Sequence, residues 1–339
     1  MSEPDAARKR VVFPERGRVV LEEFDAGDVG PAQVLVRTRW SLISSGTERT
    51  VLYARYDAGT HWESYGRFPS YPGYSAVGEI VAVGESVSEF SVGDLVATRI
   101  GHASHQVTDA VGCTRVPDDV DARDATWFAF AKIARMGAHV AEYGLGDRVL
   151  TIGAGMIGQM SVRWANAAGV ASNVVVDSVA ARLELAQRGG ATATTTADVS
   201  DRDGVLAVCG GVQPDVVVDA TGNAAVFSAA LQLVAFRGRV VLVGNTGAPS
   251  EQRLTDDVIT RCLTIVGAHD VLSMVTSPWD GDRALHEHFF HLVRTSRFDL
   301  DGLITDVFAP SEAEAAYRAL DERPAETLGV AFDWSDDDA

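Results

Sequence analysis

The chain is predicted to be an α/β protein in which a doubly wound parallel sheet is joined to a small β-barrel. Three observations carry this. Roughly the first 120 residues read as short strands broken by glycine-containing turns. From Arg148 to Val266 strand and helix patterns alternate. A G-x-G-x-x-G run sits where the first of those strands meets its helix.

The elements follow in order. Arg18–Phe24 and Gln33–Trp40 are β-rich runs separated by the turn residues of 25–32. Ala76–Val83 is another strand, closed by Gly84-Glu85. In Glu89–Ile100 the Gly93-Asp94 pair makes a tight turn into a further strand. Ala125–Glu142 lacks proline, has Gly137 as its lone glycine, and predicts a helix. Four alternating units come next: Arg148–Ile152 with a helix at Ile157–Ala168, Asn173–Val176 with Ala180–Arg188, Asp215–Asp219 with Ala224–Val234, and Arg239–Val243 leading by a loop to a last strand at Leu263–Val266. Such alternation implies a parallel sheet with right-handed crossovers. Helices are expected at Arg283–Arg297 and Ser311–Arg323, and the acidic end SDDDA is expected to fray. The expected division is one domain from 1–125 and 269–339, and a second from 126–268.

The 339 residues are 46% hydrophobic and 22% charged, enough for two ordinary cores. There is no apolar run of membrane-spanning length, and MSEPDAARKR lacks a signal-peptide core, so a cytoplasmic protein without a membrane partner is expected. A formal charge of −18 opposes nucleic-acid binding. Cys113, Cys209 and Cys262 are too scattered for a disulfide framework or a cysteine metal site. The chain has two lysines, Lys9 and Lys132, so Lys132 inside the apolar run WFAFAKIARMG stands out.

Gly153, Gly155 and Gly158 follow a strand and open a helix, the context of a dinucleotide-binding Rossmann turn. The first glycine serves the tight turn, the second the approach of a pyrophosphate, and the third close helix–strand packing. Met156 and Ile157 fill the turn between them and are read mainly as packing. Asp177 ends the next strand, 19 residues after Gly158, where a carboxylate accepts from ribose hydroxyls and repels a 2′-phosphate. NAD is therefore the expected cofactor, with Ser178 and Arg182 beside the ribose. Thr221, Gly222, Gly244 and Asn245 end two later strands on the rim where such a cofactor lies.

PGYSAVGEIVAVGESVSEFSVGDLV, GDRVLTIGAGMIG and LITDVFAPSEAEAAYRAL, in that order, resemble the medium-chain dehydrogenase/reductase superfamily over nearly the whole chain. The resemblance implies a GroES-like barrel as the catalytic domain. It also exposes departures. Zinc members carry I-C-G-T-D where this chain has ISSGTE, so Ser45 stands at the cysteine. They carry Gly-His-Glu where this chain has Gly73-Tyr74-Ser75. Their third ligand falls near Trp127–Ala129, which offers none. Hydroxyls are poor zinc ligands beside thiolate and imidazole. The chain thus resembles zinc-free dehydrogenases such as the hydroxyethyl-bacteriochlorophyllide dehydrogenases and relatives acting on sugars or cyclitols.

Alcohol oxidation then needs a side chain to take the hydroxyl proton and to stabilise the alkoxide. Lys132, Thr47 and His102 are the catalytic candidates. A buried lysine is more easily deprotonated, and the resemblance sets Lys132 beside the nicotinamide; the alternative is a lysine paired to an acid. Thr47 holds the place of the family's proton-relaying hydroxyl, or stabilises a turn. His102, preferred over His105, is a proton shuttle or a structural histidine. Ser45, Glu48, Tyr56, Trp62 and Tyr74 are the substrate-binding candidates, the aromatics suiting a sugar ring or polyol. On one expected helix His286 and His288, two apart, diverge, whereas His288 and His291 could share a face, but no third ligand accompanies that pair.

The expected activity is hydride transfer between NAD and a secondary hydroxyl of a polyol, sugar or cyclitol, without metal. The alternative is a zinc-free quinone or enoyl reductase; a non-catalytic binding protein is the third class. Leu263–Val266 ends the parallel sheet, and its apolar edge predicts a homodimer.

Overall fold

The computed structural model describes residues 8–272 and 281–335. Two sheets organise the chain. Six parallel strands lie in the order Ala193–Thr195, Ser172–Val176, Arg148–Ile152, Val216–Asp219, Arg239–Leu242 and Thr264–Gly267. The first strand in sequence, Arg148–Ile152, lies between the second and a later one. The order reverses there, and ligands of open α/β sheets bind at the carboxyl ends beside that point. Valines and leucines of the central strands are buried on both faces, as helices on both sides require.

The other sheet runs Ile304–Phe308, Gly329–Asp333, Gln33–Leu42, Ala76–Val83, Leu95–Thr98 and Cys113–Arg115, and His105–Asp109 also pairs with Gln33–Leu42. Its pairings are antiparallel except the first. Gly329–Asp333 lies against Gln33–Leu42, with Ala331 opposite Leu42, so the end of the chain completes the sheet its beginning starts. A separate hairpin pairs Lys9–Val12 with Val20–Glu23.

Several expectations are refined. The helix expected over Ala125–Glu142 is broken. A short turn, Ala122–Ala125, is capped by Asp121, whose carboxylate accepts from the amides of Arg123 and Asp124. The long helix begins afresh at Phe128 and runs to Ala141, ending on Glu142 in the left-handed region at φ 52°. At the break the Thr126 carbonyl accepts a bond from the Ser75 hydroxyl, which ties the helix to the sheet. Ala193–Thr195 adds an unexpected edge strand, and Ser45–Leu52 and His61–Tyr65 form helices between the strands Gln33–Leu42 and Ala76–Val83. The SDDDA tail lies outside the described residues after Ser335. Among the described residues, no helix is long and apolar enough to cross a membrane.

Candidate active site

The glycine-rich turn lies at the carboxyl end of Arg148–Ile152. Gly153 has φ +91°, a conformation L side chains rarely adopt. A Cβ at Gly158 would sit 1.8 Å from the Gly153 carbonyl oxygen, so the helix Met156–Ala168 touches the strand exit there. A Cβ at Gly155 would meet nothing within 4 Å. Position 155 thus opens onto empty space at the N-terminus of a 13-residue helix, a cradle for an anionic group. Asp177 faces the same turn. Its Oδ2 accepts from the Ala154 amide at 2.6 Å and its Oδ1 from the Val179 amide at 2.8 Å.

The two later strand ends come together as expected. A Cβ at Gly244 would meet the Gly222 nitrogen at 2.3 Å, so these turns touch backbone to backbone. Thr221 is bound through its amide and hydroxyl to Asp219 Oδ1, at 2.9 and 2.7 Å. Burial raises the pKa of that aspartate, and the Thr221 bonds oppose the shift. Asn245 approaches His61 at 3.4 Å. Met156 is buried and Ile157 packs beside the same core. Ser178 is exposed. Arg182, expected beside the ribose, is placed differently: its Nη2 donates to the carbonyls of Pro324 and Thr327 at 2.5 and 2.9 Å, fastening the C-terminal turn.

Across the cleft, a cluster of hydroxyls occupies the ISSGTE and GYS segments. The hydroxyls of Ser44 and Tyr74 lie 2.6 Å apart, and Thr47 is close enough to lower the Tyr74 pKa. Burial pushes the Tyr74 phenol up to about 12, against the opposing pull of Ser44, Arg99 and Thr47. The Tyr74 ring packs 5.6 Å from Phe130, and Trp127, Phe128 and Ala129 are fully buried in the same core. Ser45 points the other way, its hydroxyl 3.6 Å from the Met156 sulfur in the cofactor turn. The hydroxyl that meets Tyr74 therefore belongs to Ser44, not to Ser45. Sequence reasoning missed Ser44 because it followed the cysteine position of the motif.

Glu48 is 3% exposed and bound from three sides. Oε1 accepts from the Ser44 amide at 2.7 Å, Oε2 lies 3.2 Å from His102 Nε2, and the Tyr317 hydroxyl donates to Oε2. His102 is 1% exposed, and its Nδ1 is 2.8 Å from the Ser41 hydroxyl. Both ring nitrogens are thus engaged behind the cleft, and His102 reaches the hydroxyl cluster through Glu48 alone. A cavity of about 210 Å³ adjoins this cluster, lined by Thr47, Glu48, Tyr65, Arg67, Ser70 and Tyr71 among others.

Lys132 is 3% exposed. Its ammonium donates to Asp282 Oδ2 at 2.7 Å and lies 2.8 Å from Asp270 Oδ1. The structure does not bring it into the hydroxyl cluster; between them stand Asp270 and Arg99. Trp62 is buried, and its indole donates to the Thr246 carbonyl at 3.2 Å. With Asp57, whose amide donates to the Gly247 carbonyl at 2.7 Å, it fastens the 53–66 segment onto the nucleotide half. Tyr56 packs against the neighbouring core beside Gly66. Both aromatics, expected at the substrate, hold the 53–66 segment in place rather than line the cavity. Among the described residues, no group of three His, Cys, Asp or Glu side chains is arranged to hold a metal ion.

Comparison with known proteins agrees with this architecture. Residues 30–121 match the alcohol dehydrogenase GroES-like domain family, and residues 157–275 match the zinc-binding dehydrogenase family. The chain is 28% identical over 257 residues to D-guloside 3-dehydrogenase of Escherichia coli, covering 69% of this chain and 73% of that one. It is 27% identical over 293 residues to L-threonine 3-dehydrogenase of Vibrio parahaemolyticus, covering 76% and 81%. Among solved structures, a putative zinc-binding dehydrogenase from Sinorhizobium meliloti bound to NADP superposes with a TM-score of 0.79 at 20% identity, over 96% of this chain and 99% of that one. With both domain families matched in order and dehydrogenase relatives spanning more than two thirds of its length, the chain is an oxidoreductase of the medium-chain dehydrogenase/reductase superfamily.

Proposed function

We propose that the protein is a zinc-independent, NAD-preferring dehydrogenase that oxidises a secondary hydroxyl of a polyol, sugar or cyclitol. The observation that carries this is the Ser44–Tyr74 hydroxyl pair, with Tyr74 at the position where the resemblance puts a histidine in zinc members. The donor set does not suit zinc. Ser45 faces Met156, the Tyr74 hydroxyl is engaged by its neighbours, and the third position is filled by Trp127, Phe128 and Ala129. A polar alcohol fits a site built from hydroxyls, and the dehydrogenase relatives named above act on substrates of that kind.

The cofactor cradle is the open position at Gly155 with the amides of the helix N-terminus, and Asp177 is the group for ribose hydroxyls. A nicotinamide held there supplies the hydride acceptor. The chain's own residues place the alcohol and carry its proton. Tyr74, held as a neutral phenol, donates a hydrogen bond to the substrate oxygen as negative charge develops there. Thr47 lies beside Tyr74 and lines the cavity, so its hydroxyl can pass the substrate proton towards water.

The test is the purified full-length protein assayed against a panel of polyols, sugars, cyclitols, threonine and quinones, with NAD and NADP, before and after chelation, with metal content measured. Activity on a secondary alcohol with NAD, unaffected by chelation, is expected. Stoichiometric zinc whose removal abolishes turnover overturns the metal-free reading, and quinone reduction with NADPH alone overturns the substrate reading.

A further inference from the structure

Arg99 follows directly on the strand Leu95–Thr98 and carries no sequence motif. Its guanidinium carbon lies 4.8 Å from the centroid of the Tyr74 ring, within cation–π range. Its Nη1 is 2.7 Å from Asp270 Oδ2. The other oxygen of Asp270 is 2.8 Å from Lys132 Nζ, and Lys132 bonds onward to Asp282. Four segments therefore contribute alternating charges to one line: a barrel strand exit, the turn after the last parallel strand, the long helix Phe128–Ala141, and the start of the helix Asp282–Arg294. One end of the line rests on the ring whose hydroxyl meets Ser44.

We infer that Arg99 is a positioning residue for Tyr74, and that Asp270 and Lys132 fix Arg99 over the ring. This rests on the proposed contact of Tyr74 with the substrate oxygen. A guanidinium paired with a mobile carboxylate would swing among rotamers. Asp270, itself held by a buried ammonium, anchors one edge of the guanidinium and leaves its face to the ring. A fixed positive charge there stabilises electron density drawn onto the phenol oxygen as it donates, so Tyr74 becomes a stronger donor. The charged groups acting on Tyr74 are Arg99, which favours this polarisation, and Glu48, which opposes it. Lys132 then acts at a distance, as a member of the line rather than as the base.

The test compares Arg99→Met, Arg99→Lys and Tyr74→Phe in the full-length enzyme with the most active alcohol of the panel. An Arg99→Met/Asp270→Asn pair is included, so that no unpaired carboxylate confounds folding. Arg99→Met is expected to lower kcat about ten-fold with KM little changed, Arg99→Lys to recover most of it, and Arg99→Met to add nothing in the Tyr74→Phe background. The paired variant is expected to match Arg99→Met. Additive losses, or an unchanged kcat in both Arg99→Met and the paired variant, overturn the inference. A second readout needs no turnover: with ¹³Cζ-labelled tyrosine, the Tyr74 resonance, assigned by its loss in Tyr74→Phe, is expected to shift in Arg99→Met and return in Arg99→Lys. An unmoved resonance overturns the inference. An intact kcat in Tyr74→Phe overturns the proposed role of Tyr74, while the resonance still decides whether Arg99 acts on the ring.

Discussion

The Cβ that any side chain would place at position 158 falls 1.8 Å from the carbonyl oxygen of Gly153, whereas the one at position 155 meets nothing within 4 Å. The two glycines of one motif are therefore constrained differently, and we propose that position 158 serves packing and position 155 a ligand. Gly158→Ala must push helix and strand apart and is expected to cost more than about 3 kcal/mol. Gly155→Ala, at an ordinary φ of −69°, is expected to leave stability within about 0.5 kcal/mol yet weaken NAD binding at least about ten-fold. Thermal melts and cofactor titration of both variants separate the roles; equal losses of stability would contradict the assignment.

Asp177 joins structure to the proposed cofactor preference. Its two oxygens satisfy the amides of Ala154 and Val179, so its removal orphans two donors as well as the proposed ribose contact. Asp177→Ala is expected to lower stability by about 1–2 kcal/mol. The NAD-over-NADP ratio of kcat/KM is expected to fall about 100-fold, since the carboxylate that repels a 2′-phosphate is gone. An unchanged ratio would place cofactor choice elsewhere.

His286 makes stability depend on pH. It is 2% exposed, with Nδ1 2.9 Å from the Thr114 hydroxyl and its ring edge-on to Phe128 at 4.7 Å. Burial pushes it down to about 3, against the attraction of Asp282. Because the folded value lies below the unfolded one, the unfolded chain binds more protons between about pH 3 and 6.5, and stability falls as pH falls through that window. The expected loss from pH 6.5 to 5 is roughly 2 kcal/mol. His286→Gln is expected to flatten this limb in urea melts; a slope equal to wild type would assign it to other groups.

The nucleotide half was legible because each of its signals is local. A strand, three spaced glycines and an acidic strand end follow one another within a single βαβ unit, and the structure brings them to one turn. The hydroxyl site was legible in part, through Thr47 and Tyr74. Arg99, Asp270 and Asp282 were not, because partners that lie 138 to 171 positions apart leave no period in the sequence. Lys132 was conspicuous for its apolar setting, yet its partners come from the far end of the chain. His102 and Glu48 share a similar history: each looked available for chemistry, and each is bound by groups that only the tertiary fold supplies. The break at Thr126 was hidden because Ala122–Ala141 has uniform helix-forming composition, and the Ser75 bond that fixes the break comes from another strand.

The strand Thr264–Gly267 ends the parallel sheet, paired on one side with Arg239–Leu242. The amides of Thr264 and Ala268 donate inward to Gly238 and Leu242, so alternation turns those of Ile265 and Gly267 outward. An edge with outward donors and two half-buried apolar side chains is a pairing surface, and we propose that two copies join there about a two-fold axis. Sedimentation at micromolar concentration is expected to give a dimer. Ile265→Pro removes an outward donor without touching an inward bond, and exposed Thr264→Lys brings like charges to the seam. Both variants are expected to dissociate to monomers that keep the parallel sheet by circular dichroism. A wild-type monomer, or dimers that survive both substitutions, would place the interface on another face.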